Sequence, residues 1–344
     1  MYSFKNDYSE GAHPRILEAL IKTNMEQTAG YGLDEYSESA IELIKKKIKR
    51  NDAEVHLLVG GTQTNLIAMA AFLRSHEAVI SAETGHVLVH ETGAIEATGH
   101  KVISVPSKDG KLKPENIAKV VEQHTDEHMV KPKLVYISNP TEIGTIYKKE
   151  ELKQLSEVCK EKDLILYVDG ARLGSALCSF ENDLDISDLA RLTDAFYIGG
   201  TKGGALMGEA LVICKDSLKK EFRFHVKQRG GMFAKGRILG MQFLELFKDD
   251  LYFELANHAN KMADILREGI KTAGFEFMIE ASTNQVFPIF PNDLIEKLQE
   301  NYDFLLWEKI DVEKSAVRLV TSWATDEDEV QKFVNQLLNE VQNN

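Results

Sequence analysis

Short apolar runs rich in β-branched residues punctuate the first two-thirds of the chain. They predict strands at 55–59, 101–105, 133–138, 164–168, 194–198 and 210–213. Amphipathic helical patterns lie between them. Ser39 and Glu42 read as a capping box ahead of Ile41, Leu43, Ile44 and Ile48. Pro114 suits the first turn of a helix over 115–123, and Leu152, Leu155, Val158 and Cys159 share one face of the next. Strands alternating with helices predict an α/β large domain whose sheet is mainly parallel and covered on both faces. Near residue 237 the pattern changes. A long helical region over 238–273 leads to strands near 275–279, 286–290 and 317–321. A last helix over 329–341 carries Val330, Phe333, Val334, Leu337, Leu338 and Val341 at helical spacing. This is the pattern of a smaller α+β C-terminal domain, dividing the chain into 1–236 and 237–344.

Composition narrows the function. A formal net charge of −13 argues against a nucleic-acid partner, since a phosphate-binding surface needs a basic excess. The one basic cluster, residues 45–50, falls on an amphipathic helix and reads as a solvated face. Three cysteines, Cys159, Cys178 and Cys214, show no CxxC spacing, so neither a disulfide framework nor a cysteine zinc site is expected. The N-terminal residues are polar and lead into no apolar signal region. The longest apolar run, 66–73, is too short to span a bilayer. The expectation is a soluble, cytoplasmic protein without a membrane partner.

Four unusual segments fall at the ends of predicted strands, where ligand sites of parallel sheets collect. Gly60-Gly61-Thr62-Gln63-Thr64-Asn65 joins a strand to a helix, and its free N–H groups suit an anion or a plain turn. It is neither a Walker loop nor a GxGxxG fingerprint. Asp169-Gly170-Ala171-Arg172 ends a buried strand. There Asp169 suits a protonated ring nitrogen and Arg172 an anionic oxygen, unless the two pair with each other. Lys202 stands among Gly199, Gly200, Gly203 and Gly204, a poor place for a surface lysine. It suits a Schiff base with a depressed pKa, or a phosphate ligand. His86 follows a strand and begins a helix, where an imidazole can stack on a ring, act as a base or serve the fold. His86 and His90 are four apart with Glu91 adjacent. The HExxH order and a third ligand are absent, and no metal is expected.

Together these segments resemble the threonine aldolase / β-eliminating lyase family, pyridoxal-phosphate (PLP) enzymes of the aspartate-aminotransferase-like fold, fold type I. The resemblance runs over nearly the whole chain in the same order. Its most specific pieces are Asp169-Gly170-Ala171-Arg172-Leu173 and Thr201-Lys202-Gly203, joined by the loop with Asn65, by His86, by Tyr31-Gly32-Leu33-Asp34 and by Val317-Arg318-Leu319-Val320-Thr321. By this resemblance Lys202 would hold PLP covalently, Asp169 would keep its ring nitrogen protonated, and His86 would stack on the ring. Gly61, Thr62 and Thr201 would hold the phosphate. Arg172 and Arg318, with Asn6, would face the substrate carboxylate. Members of the family are homodimers or homotetramers with sites at the interface, and Lys227 looks like the basic residue reaching across. The implied reaction is aldol cleavage of a β-hydroxy-α-amino acid, L-threonine or L-allo-threonine, to glycine and an aldehyde, with His86 the candidate base and Glu142 a weaker one. The rivals are a β-eliminating lyase releasing ammonia and a keto acid, and a catalytically silent binding protein on the same fold. Two departures stand out. Ser138-Asn139-Pro140-Thr141-Glu142 replaces the family's Asn-Thr-His-Asn, removing a histidine, and Gly230-Gly231-Met232-Phe233-Ala234 replaces a run ending in Met-Arg-Gln.

Overall fold

The computed structural model describes residues 1–342. After a two-residue strand, β1 (Tyr2–Ser3), the chain builds seven strands: β2 (Glu54–Leu58), β3 (Glu77–Ala82), β4 (Val102–Val105), β5 (Lys131–Ser138), β6 (Ile165–Asp169), β7 (Ala195–Gly199) and β8 (Glu209–Ile213). They form one sheet in the order β2-β8-β7-β6-β5-β3-β4. The β3/β4, β3/β5, β5/β6 and β6/β7 pairs are parallel, and β8 alone is reversed, antiparallel to both neighbours. The reversal has a simple cause: β7 and β8 are joined by a short loop, whereas a parallel return needs a crossover. The six strands predicted from apolar runs lie within about two residues of their expected bounds. The strand expected ahead of His86 is β3, fully buried but rich in alanine and serine, which weakens its β signal.

Every residue of β6 and β7 is buried, because the sheet is covered on both faces. Alternation sorts the side chains. Val135, Ile137, Leu166, Val168, Phe196 and Ile198 meet one layer of helices. Leu134, Tyr136, Ile165, Tyr167 and Tyr197 meet the other, which includes Ile67, Ala68 and Met69 of the helix Gly61–Phe72. That second face carries three buried phenols, and the site is built above them.

The C-terminal half forms an antiparallel sheet of β9 (Phe277–Ile279), β10 (Gln285–Pro291), β12 (Leu305–Lys309) and β13 (Lys314–Val320), in the order β12-β13-β10-β9. The short β11 (Tyr302–Asp303) pairs in parallel with β1, and Phe4 packs into this half's core with Leu319 and Phe333. Strand β12 escapes the sequence reading because its residues are largely exposed. Three local expectations are corrected. The helix Glu35–Ile48 is capped by Asp34, whose carboxylate accepts the Ser37 N–H, so Ser39 lies inside it. The single helical region over 238–273 is two helices, Arg237–Phe247 and Leu251–Thr272, parted where Asp249 and Asp250 take φ of 56° and 60°. Val341 is exposed in the last helix, Glu327–Gln342, whereas Val330, Phe333, Val334 and Leu337 are buried. Among the described residues no helix is long and apolar enough to cross a membrane.

Candidate active site

Asp169, the last residue of β6, is buried and accepts hydrogen bonds on both oxygens. Oδ2 takes the Tyr136 hydroxyl at 2.6 Å and Asn65 Nδ2 at 3.0 Å, and Oδ1 takes the Ala171 N–H at 3.0 Å. Burial and then the Asp169 charge push the Tyr136 phenol well above its usual pKa, so it remains a donor. Three donors satisfy a carboxylate whose burial without partners would be costly. The chain leaves β6 through Gly170, whose close approach to β7 leaves no room for a side chain. A Cβ there would lie 1.9 Å from the Tyr197 carbonyl oxygen.

Asn65, in the second turn of the helix Gly61–Phe72, joins Asp169 to His86. Its Oδ1 accepts the Tyr167 hydroxyl at 3.0 Å, which fixes the amide so that Nδ2 donates both to Asp169 and to Glu91 Oε1, at 2.7 Å from the latter. The same Glu91 oxygen lies 2.7 Å from Nδ1 of His86, the first residue of the helix His86–Val89. Burial lowers the His86 pKa, but the Glu91 hydrogen bond and the Glu142 and Asp169 charges outweigh it and hold the imidazole above its ordinary value.

Lys202, just past β7, is half-buried, and among the described residues no hydrogen bond or ion pair holds its amine. The nearest aromatic ring is that of Tyr8, its centroid 5.9 Å from Nζ. Withdrawal from water and the Arg172 charge keep this amine below its usual pKa, against the pull of Asp7, Glu142 and Asp169. The glycines around it serve close packing. A Cβ on Gly199 would lie 2.2 Å from the Ala171 carbonyl oxygen. Glu209 of β8 steadies this loop by accepting the Gly200 N–H at 3.1 Å and the Thr201 hydroxyl at 2.8 Å, and burial pushes its pKa up to about 8.

Arg172 does not pair with Asp169. Its Nε and Nη2 donate to the buried Asp7 at 2.6 and 3.1 Å, and Asp7 also accepts Asn284 Nδ2 at 2.9 Å. Burial works against the Asp7 carboxylate, but Arg172, Lys202 and Asn284 outweigh it and hold its pKa low. Arg318 of β13 differs. It is an inescapable cation whose guanidinium lies 4.9 Å over the Trp307 ring, with a buried Nε that has no acceptor among the described residues. Gly61 and Thr62 open a helix whose first residue before the turn, Gly60, offers no side-chain cap, so the first-turn N–H groups are open to an anion. Asn6 commits its Oδ1 to the Tyr8 N–H and Ser9 hydroxyl, at 2.9 and 3.0 Å. Lys227 stands apart. It is exposed on the helix Phe222–Gln228, its Nζ 4.7 Å from the Tyr31 ring centroid, and it makes no bond to the Asp169, His86 or Lys202 group. Among the described residues no cluster of three His, Cys, Asp or Glu side chains is placed for a metal ion.

Sequence reasoning missed Glu91, Tyr136 and Glu209 as parts of the site. Glu91 was visible only as an acid near two histidines. Tyr136 and Glu209 sit in apolar strand runs, where a polar side chain at alternate spacing is the one signal available.

The family described as beta-eliminating lyase matches residues 9–292. The low specificity L-threonine aldolase of Pseudomonas aeruginosa is 31% identical over 340 residues, 97% of this chain and 96% of that protein. The enzyme of the same name from Pseudomonas sp. (strain NCIMB 10558) is 32% identical over 339 residues, 96% of this chain and 95% of its own. The solved structure of Leishmania major threonine aldolase is 51% identical, with a TM-score of 0.98 and coverage of 99% of this chain and 100% of that one. A Thermus thermophilus aspartate aminotransferase, at 17% identity, shares the fold with a TM-score of 0.72, covering 98% of this chain and 91% of its own. Fold and site together define a PLP-dependent lyase of fold type I. The chain belongs to the beta-eliminating lyase family.

The residues fit that cofactor. An unpaired, pKa-depressed amine at Lys202, a triply hydrogen-bonded carboxylate at Asp169 and an uncapped helix start at Gly61 match a reactive carbonyl, a ring nitrogen and a phosphate respectively.

Proposed function

We propose that this enzyme cleaves β-hydroxy-α-amino acids, L-threonine and L-allo-threonine, to glycine and an aldehyde. The observation that carries the reading is Arg318. A half-buried cation whose buried Nε has no acceptor among the described residues suits an anionic amino-acid carboxylate. The names of the full-length relatives, low specificity L-threonine aldolases, support the choice of substrate.

Bound PLP supplies an electron sink for the pair released when a bond to Cα breaks. Lys202 would hold it covalently, and a pKa below the usual amine range suits its amine to that role. Asp169 would keep the proton on the ring nitrogen. The first-turn N–H groups of Gly61 and Thr62 would hold the phosphate, and Lys227 would add a positive charge from a neighbouring subunit. Thr201, expected beside them, spends its hydroxyl on Glu209 and its N–H on the Gly208 carbonyl, so it has no donor left for this role. Arg318 takes the carboxylate, and Arg172 and Asn6 contribute the donors not already committed to Asp7 and to the local turn. His86 takes the β-hydroxyl proton at Nε2. The Cα–Cβ bond breaks, the aldehyde leaves, and a proton returned to Cα completes glycine. The departure at Thr141 leaves no histidine on the loop after β5. Glu142 is the carboxylate on that loop, and its charge acts on His86, Lys202 and Arg318. The working protein is a cytoplasmic homo-oligomer with sites at the subunit interface.

The test is product analysis of PLP-loaded protein with each substrate, using Lys202→Ala as the blank. Acetaldehyde and glycine support the reading. Ammonia and a keto acid would transfer the protein to β-elimination.

A further inference from the structure

We infer that Glu91 is the positioning residue of this site, setting the tautomer and basicity of His86 and, through Asn65, tying that base to Asp169. The inference rests on the reading of His86 as the group that takes the hydroxyl proton. The side chain of Glu91 is fully buried, and a carboxylate withdrawn from water is costly unless well paired. Its pairing is one-sided. Oε1 meets both His86 Nδ1 and Asn65 Nδ2 at 2.7 Å, while Oε2 is buried without a partner among the described residues. Folding alone does not favour such an arrangement, since an apolar side chain would fill the space without an orphaned oxygen.

Three consequences follow from the geometry. A proton on Nδ1 is held by the carboxylate, so Nε2 is the nitrogen left to exchange a proton. The negative charge favours the imidazolium, which makes neutral His86 a stronger base. Because the Tyr167 hydroxyl fixes the Asn65 amide, Asn65 gives one hydrogen to Glu91 and one to Asp169, and the base and the ring-nitrogen partner share a rigid spacer. The charged or titratable groups acting on His86 come from three places: Glu91 and His90 on its own segment, Glu142 on the loop after β5, and Asp169 at the end of β6. Lys202 and Arg318 act on the neighbouring His90.

The sign of the pH effect is fixed by these charges. His86 must be neutral to accept a proton, so the rate climbs as pH rises through its elevated pKa. Removing the Glu91 charge leaves Glu142 and Asp169 to favour the imidazolium, so the acid limb moves to lower pH. The experiment is the pH profile of kcat and KM for wild type, Glu91→Gln and Glu91→Asp holoenzymes, with NMR titration of histidine-labelled holoenzyme to follow the His86 ring. For Glu91→Gln we expect a plateau kcat lower by about tenfold to a hundredfold, as for other partners of working histidines, with KM little changed. Its acid limb and the His86 titration should both move to lower pH, and Glu91→Asp should recover part of each. A kcat loss with the acid limb and the His86 titration unmoved would mean a merely structural role and overturn the inference. Wild-type behaviour of Glu91→Gln would overturn it too. If wild type releases no aldehyde, the substrate reading has failed instead, and the NMR titration alone still decides the role of Glu91.

Discussion

Replacing Arg318 with leucine separates a ligand-binding role from a structural one, because the two predict opposite effects on stability. In the free enzyme the Arg318 Nε is buried without an acceptor, and its compensation is the Trp307 face 4.9 Å away. A buried unsatisfied donor costs about 1–3 kcal/mol, and a cation–π contact returns roughly 0.5–2 kcal/mol. The two nearly cancel, so Arg318→Leu should unfold at the same temperature as wild type or higher, measured by calorimetry without substrate. Binding goes the other way. A hydrogen bond to a charged group is worth about 1.5–3 kcal/mol, which at about 1.4 kcal/mol per decade is roughly a 12-fold to 140-fold loss of affinity. Because the carboxylate is held throughout the reaction, most of this loss should appear in KM and kcat/KM, with kcat reduced less. Steady-state aldehyde release from L-threonine and L-allo-threonine measures both constants. An unchanged KM, or a melting temperature well below wild type, would refute the reasoning, since either result makes Arg318 a part of the fold and not of the substrate site.

Lys202→Ala should abolish turnover and the visible absorption of covalently held PLP. The melting temperature of the cofactor-free protein should stay close to wild type, because no hydrogen bond or ion pair is lost and only the Tyr8 contact at 5.9 Å and a longer-range attraction to Asp7 go. Tyr136→Phe removes the 2.6 Å donor to Asp169, and kcat should fall by about tenfold to a hundredfold as the ring-nitrogen partner weakens, with a shifted pH titration of the cofactor band; unchanged spectra and rates would count against it. Gly170→Ala forces a Cβ to within 1.9 Å of the Tyr197 carbonyl oxygen, and the β6–β7 backbone must separate at about 1–3 kcal/mol or more, read as a lower urea midpoint.

The alternation of strands and helices was legible because buried parallel strands are continuous apolar runs. Lys202 and Asp169 were legible because a charged residue at the end of such a run has few purely structural explanations. The reversal of β8 was not, since Gly199 to Gly208 could equally have led to a longer crossover. Nor was the partner of Arg172. Asp7 is 165 positions away, and only the fold shows that it, and not Asp169 three residues off, takes the guanidinium. Glu91 and Tyr136 remained hidden for the same reason. Their significance lies in which carboxylate or ring they meet across the sheet, which no local spacing encodes.

The partner of Arg172 also explains why a site built at the ends of one sheet depends on residues of another. Asp7 lies on the segment following β1, which pairs with β11 of the C-terminal half, while Phe4 is sunk in that half's core. Asp7 then receives Arg172 from the end of β6 and Asn284 from the residue before β10. One buried carboxylate therefore links the large sheet, the C-terminal sheet and the start of the chain. Arg318, on β13, belongs to the same C-terminal sheet, so the Asp7 pairings also fix where that cation stands relative to Lys202. Removing one partner of a buried pair costs about 3–5 kcal/mol, because the other charge is left uncompensated. Asp7→Asn should lose stability on that scale, and it should also loosen the register between the carboxylate-binding cation and the cofactor-bearing lysine. The expected signature is a lower melting temperature together with a raised KM. A stability loss with KM unchanged would show that the two sheets keep their relation without this link.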